Sequence, residues 1–185
     1  SHLHLHHLSP SDIADLVRES GATLSSEQLH QIGTLTNGNP LLVCLLLALT
    51  QRGQTIEDAA QQLTTPMNLE WFVQRLSVHL NPREQIVLQE LSVFAEAAPA
   101  AVWTRTRRHL DSLVSLGLAE ISQNHGVTIH PALREQIYLQ LSSPLRRDLH
   151  LAAGNVVANY GQFTSAARHF LLAEEPELAI WTWYT

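Results

Sequence analysis

The chain contains no lysine: all 11 basic residues are arginine. A phosphate-cradling Gly-x-x-x-x-Gly-Lys-Ser/Thr loop needs that ammonium, so none exists within these 185 residues. Schiff-base chemistry through a lysine is excluded by the same absence. Cysteine is nearly as scarce. Cys44 is the single one, which excludes an intrachain disulfide and a cysteine zinc cluster. Set inside an apolar run, it reads as a buried, inert thiol suited to a reducing cytoplasm. Aromatics make up only 6% of the chain, so the core must be largely aliphatic. The longest apolar run, residues 41–49, is too short to cross a bilayer. No basic start with a small-residue cleavage site marks a secretory leader. A cytoplasmic chain without a membrane partner is expected. The formal charge of -6 argues against general affinity for nucleic acid. Paired carboxylates occur at Glu57-Asp58 and Glu174-Glu175, but both read as solvated helix ends. No nucleophile-elbow pattern accompanies the serines and histidines, so no catalytic residue is expected.

What is present begins with Gly38-Asn39-Pro40, followed at once by the apolar run from Leu41 to Leu49. Gly38 tolerates backbone angles closed to other residues. Asn39 is a good N-cap and Pro40 suits the first helical position. The triplet therefore predicts a helix N-terminus at a sharp corner, a place that attracts anions and flat ligands. The helix behind it is apolar on all sides and should be the centre of a bundle. Helices are expected around it: one from Ser9-Pro10 to Gly21, one from Ser25 to Asn37, and one capped by Thr55 through about Leu63. Residues 1–66 thus read as a four-helix unit. Ahead of it, His2, His4 and His6 alternate with leucine on one face of a short extended segment. Imidazole is a common metal ligand, but no carboxylate or second cluster accompanies the three. A solvated strand end or an added tag is expected there, and no metal site.

Beyond Thr64-Thr65-Pro66 come a helix from about Asn68 to Leu80 and one opened by Pro82 that carries Ile86, Leu88 and Leu91. A turn at Ala97-Ala98-Pro99, a short helix through Trp103, and a helix from about Thr106 to Leu116 follow. Then the period changes to two. Residues 118–122 and 127–130 flank Asn124-His125-Gly126 and predict a two-stranded hairpin. Three helices followed by a β-hairpin is the winged-helix order, here over residues 67–142. After Ser142-Ser143-Pro144 the pattern is helical again, with breaks at Gly161 and Glu175-Pro176. Small residues at Ala166, Ala167, Ala173 and Ala179 permit close helix approach, so residues 143–185 read as the start of a TPR-like array of helical hairpins. Exposed aromatics over 181–184 suggest an array that continues, with a protein ligand for the repeats. The expected fold class is mainly α: a four-helix lid bundle, a winged helix with a small β-hairpin, and TPR-like hairpins.

This order of parts resembles the C-terminal half of STAND-class signalling ATPases, which include plant NB-ARC resistance proteins, apoptotic-protease-activating factors and maltose-regulator-type activators. Two motifs carry the resemblance. Thr36-Asn37-Gly38-Asn39-Pro40-Leu41 is similar to the Gly-x-Pro signature of the family's helical lid, which implies that Pro40, presented by Gly38, packs near adenine. Thr128-Ile129-His130-Pro131-Ala132-Leu133-Arg134-Glu135 is similar to the Met-His-Asp segment ending its winged helix. His130 would match the histidine that reaches the β-phosphate of ADP, and an imidazole N–H can donate to a phosphate oxygen. Ile129 stands in place of Met, and Pro131 in place of Asp, which removes a carboxylate. The resemblance implies a regulatory fragment that latches ADP or ATP only with a P-loop domain of the same protein, and that controls oligomerisation with further copies. The fragment alone would bind no nucleotide tightly and hydrolyse nothing.

The alternative is a DNA-binding winged-helix regulator. Arg105, Arg107, Arg108 and His109 open the helix at 105–116, where a recognition helix presents side chains to the major groove. The negative net charge and a wing without arginine (Ser122 to Gly126) weigh against it.

Overall fold

The computed structural model describes residues 7–61 and 69–184. His2, His4, His6, the break at Thr64-Thr65-Pro66 and the boundary between residues 66 and 67 lie outside the described residues. The described chain divides into two compact units, one of residues up to Asn81 with Ser112–Leu118, the other of Pro82–Asp111 with the chain from Ala119 onward.

The first unit begins with α1 (Pro10–Glu19), α2 (Ser26–Thr36), α3 (Pro40–Gln51) and α4 (Ile56–Gln61). Their starts are set by side chains that accept the orphan amides of the first turn. Ser9 and Asp12 form a capping box on α1, Ser25 and Gln28 form one on α2, and Asn39 accepts from the Leu42 amide on α3. The Thr55 hydroxyl accepts from Asp58 N–H at 2.9 Å to start α4. α3 buries Val43 and every residue from Leu45 to Leu49, with α1, α2 and α5 (Leu69–His79) packed around it. Each such aliphatic side chain contributes roughly 1.5–3 kcal/mol by leaving water. α5 adds Phe72, Val73 and Leu76. Cys44 is only half-buried, because the faces of α3 at Leu41, Leu42 and Cys44 are less completely covered. Burial still pushes its thiol above the ordinary range, which keeps it protonated and unreactive.

The second unit holds the wing and the helical hairpins. α6 (Pro82–Ser92) packs against α8 (Pro131–Gln140) and against a 3-10 helix, Ala100–Thr106. Trp103 in that segment is 1% exposed, and its Nε1–H donates to Glu90 at 2.7 Å. The sheet corrects the expected hairpin. It has three antiparallel strands in the order β1 (Ala98–Pro99), β3 (Gly126–Thr128), β2 (Glu120–Ile121). Residues 98–99, expected as a turn, instead pair with Val127 and Gly126. A Cβ on Gly126 would stand 2.7 Å from the Ala97 Cβ, so only glycine lets β1 approach the wing. The expected helix over 106–116 is the 3-10 segment followed by α7 (Arg107–Ser115). On α6, Ile86 is 42% exposed rather than part of the apolar stripe, which runs through Val87, Leu88 and Leu91.

The chain then forms α9 (Ser143–Asn159), α10 (Phe163–Leu172) and α11 (Pro176–Tyr184), with α10 packed against both neighbours. Gly154 lies against the Phe170 ring, where a Cβ would meet ring carbons at 2.7 Å. With Ala166 and Ala167 buried, these small residues bring α9 and α10 close, as in a TPR-like hairpin. The fold is mainly α, with eleven α-helices and one small sheet among the described residues.

Candidate functional site

The corner ahead of Pro40 is built by two successive residues in the left-handed region, Asn37 at φ 48° and Gly38 at φ 65°. Their reversal ends α2, with Gly38 N–H donating to Gly33 and Asn39 N–H to Thr36. Asn tolerates this region and glycine favours it. Gly38 has a second reason to lack a side chain. Leu8 N–H donates to the Gly38 carbonyl at 2.7 Å, and a Cβ would stand 2.8 Å from the Leu8 carbonyl oxygen. The segment at His7-Leu8 therefore crosses directly over the corner. Beside it opens a groove of about 600 Å3, lined by Leu8, Pro10, Ile13, Leu29, Gly33 and Gly38 among others. Pro40 follows as the first residue of α3 and is half-buried. No sequence signal marked the groove, because His7 and Leu8, which form one wall, belong to no motif.

His130 is exposed and occupies the N-cap of α8. Its Nδ1 accepts from Ala132 N–H at 3.2 Å, and Pro131 takes the first helical position. Acceptance at Nδ1 leaves the ring hydrogen on Nε2, which is then a free-standing donor geometry for an acidic oxygen. Pro131 thus starts the helix that the imidazole caps. Gly38 and Pro40 belong to the first unit and His130 to the second.

The basic segment is exposed as well. Arg105 lies in the last turn of the 3-10 helix, while Arg107 and Arg108 open α7. Arg107 is held by Asp111 at 2.8 Å, one helical turn on, and Arg108 Nε–H donates to His109 at 3.1 Å. Cations at a helix N-terminus oppose the helix dipole. Part of the charge offered to a phosphate backbone is therefore already neutralised by Asp111. Among the described residues no group of three or more His, Cys, Asp or Glu side chains is arranged to hold a metal. No helix there is long and apolar enough to cross a membrane.

Sequence reasoning missed a polar cluster in the second unit, where Tyr138, His150 and His169 contact one another. The available signal was spacing. His150 shares a helical face with the buried Ala153, Gly154 and Val157, and His169 shares one with Ala166 and Phe170.

Comparison with protein-family models finds no match, and comparison with curated proteins finds none. Among solved structures, the chain is similar to the Signal Transduction ATPase with Numerous Domains (STAND) protein with a tetratricopeptide repeat sensor from Pyrococcus horikoshii, with a TM-score of 0.66 and 21% identity. The match covers 90% of this chain and 25% of that protein, so the chain spans about a quarter of its length. At that identity the likeness is one of fold alone.

Proposed function

We propose that this chain is the regulatory part of a STAND-type signalling ATPase, in which lid and winged helix latch ADP against a P-loop domain of the same protein. The lid is residues 1–66, the winged helix 67–142, and the repeat array starts at 143. The single observation that supports this is the likeness in fold to a STAND protein over 90% of the chain, beside a Gly-Asn-Pro corner and a histidine that caps α8 after the sheet. In the closed state Pro40 packs on the adenine and the His130 Nε2–H donates to the β-phosphate. Exchange of ADP for ATP removes that bias, and the freed modules assemble with further copies. The protein is cytoplasmic, and a protein ligand acts on the repeats. The chain by itself catalyses nothing, since it supplies no lysine for phosphoryl transfer.

Calorimetry with ADP tests the division of labour. The 185-residue chain should bind weakly or not at all, and tight stoichiometric binding would refute the need for a P-loop partner. In the longer protein, His130→Ala should shorten ADP retention and raise basal activity; unchanged nucleotide occupancy would remove His130 from the latch.

A second reading, a DNA-binding winged-helix regulator, is favoured by the exposed Arg105, Arg107 and Arg108 at the start of α7. It requires affinity that falls steeply with salt. A gel shift with no complex even at low salt eliminates it.

A further inference from the structure

α9 and α10 meet through two buried histidines. His150 and His169 are 2% and 5% exposed, and their Nδ1 atoms are 2.9 Å apart. On its far side, His150 Nε2 lies 3.1 Å from the Tyr138 hydroxyl on α8. Phe94, just after α6, sets its ring edge-on to His169 with centroids 5.3 Å apart. One chain of contacts thus links α8, α9, α10 and the end of α6.

Proton arithmetic constrains the pair. A neutral imidazole carries one N–H, and an Nδ1···Nδ1 hydrogen bond needs one donor and one acceptor. If His150 donates at Nδ1, its Nε2 accepts from the Tyr138 O–H. If it accepts there, its Nε2–H donates to the Tyr138 oxygen. The hydroxyl serves either arrangement, so the neutral pair is satisfied both ways. One added proton leaves a buried cation. A second sets two N–H groups against each other at hydrogen-bond distance.

The surroundings do not accommodate that charge. Arg168, on α10, disfavours a proton on both rings. From α9, Arg146 lies over the Tyr138 ring at 4.7 Å and donates to the Tyr138 carbonyl. From α8, Arg134 donates to the Phe94 carbonyl. Arg147 of α9 is engaged by Glu174 and Glu175 before α11. Glu96 lines a cavity of about 140 Å3 together with Arg168 and His169. Burial, followed by Arg168, lowers the His150 pKa. Burial, followed by His150 and Arg168, lowers that of His169 to about 4.

We propose that the His150–His169 pair is a proton-sensitive clasp that joins α9 to α10 and, through the Tyr138 hydroxyl, to α8, closed while both rings are neutral and opened when a proton enters through the cavity beside Glu96 and Arg168. The clasp is independent of nucleotide. Acidification loosens α9 and α10 from one another and from α8, while the first unit, which holds no such pair among the described residues, keeps its structure.

Hydrogen–deuterium exchange on the 185-residue chain at pH 7.5 and 4.5, corrected for intrinsic rates, tests this. Protection in α9 and α10 should fall at least about tenfold at the lower pH, while that in α2 and α3 holds. His169→Asn keeps a donor and an acceptor facing His150 but cannot titrate, so its loss should be several times smaller. No loss in the parent chain, or an equal loss in the variant, overturns the clasp. Should the variant fail to fold, ring-proton NMR of the parent chain decides. Two rings whose resonances stay still from pH 7.5 to 5.5 support the clasp, and ordinary titration of both near 6.5 overturns it.

Discussion

Gly38→Ala measures how tightly the corner ahead of α3 is held. Two costs act together. An alanine forced into the left-handed region costs about 1–2 kcal/mol, while the stiffer unfolded chain returns about 0.4–1. Gly21 isolates that contribution. It too has a positive φ, 75°, but a Cβ there meets nothing within 4 Å. Gly21→Ala should therefore lose about 1 kcal/mol or less. At Gly38 the same methyl would stand 2.8 Å from the Leu8 carbonyl oxygen and 3.1 Å from its nitrogen. The chain crossing the corner must move, and its 2.7 Å hydrogen bond to the Gly38 carbonyl is lost, about 1 kcal/mol more. Gly38→Ala should therefore cost about 2 kcal/mol in total. Urea unfolding of both variants, followed by circular dichroism, gives the difference from the midpoints at equal slope. If Gly38→Ala loses no more than Gly21→Ala, the crossing segment does not brace the corner.

Asn39→Ala should destabilise by about 1 kcal/mol through loss of the α3 cap, and Asn39→Asp should restore most of it; thermal midpoints compare them. Acid should weaken the second unit with a definite sign. The folded His169 pKa is about 4 against 6.5 in the unfolded chain, so the unfolded state takes up the proton first. Stability is then full above pH 6.5 and falls by about 3 kcal/mol as the pH drops to 4, which urea titrations at several pH values read directly. A flat profile across that window contradicts the assigned burial. His130→Asn should separate structure from function. An asparagine still caps α8, so the melting temperature holds, while nucleotide retention by the longer protein falls for want of the Nε2 donor.

Much of the helical frame was legible because its signals are local. Ser9, Ser25, Asn39 and Ser142 each stand one residue before a helix and accept from an amide within that helix's first turn. The wing was legible in part. Its two later strands follow from alternation around Asn124-His125-Gly126, but β1 is two residues long and exists only by pairing with β3. Ile86 was misplaced because two faces of α6 carry apolar residues, and only packing against α8 and the 3-10 helix selects one. At the candidate site, Gly38, Pro40 and His130 were visible as motif residues. The groove beside Gly38 and the capping role of the His130 ring were not, since each needs a neighbour's coordinates.

By itself the sequence determined where helices begin and end, which chemistries are impossible without lysine and paired cysteines, and the succession of bundle, wing and hairpins. These follow from short-range backbone satisfaction and from composition. Only the tertiary structure decided that Leu8 crosses Gly38, that Ala98–Pro99 is a strand, and that His150 meets His169. Such pairings join residues 19 to 30 positions apart. They depend on which apolar faces close together, a choice made by the packing of whole helices rather than by any one segment.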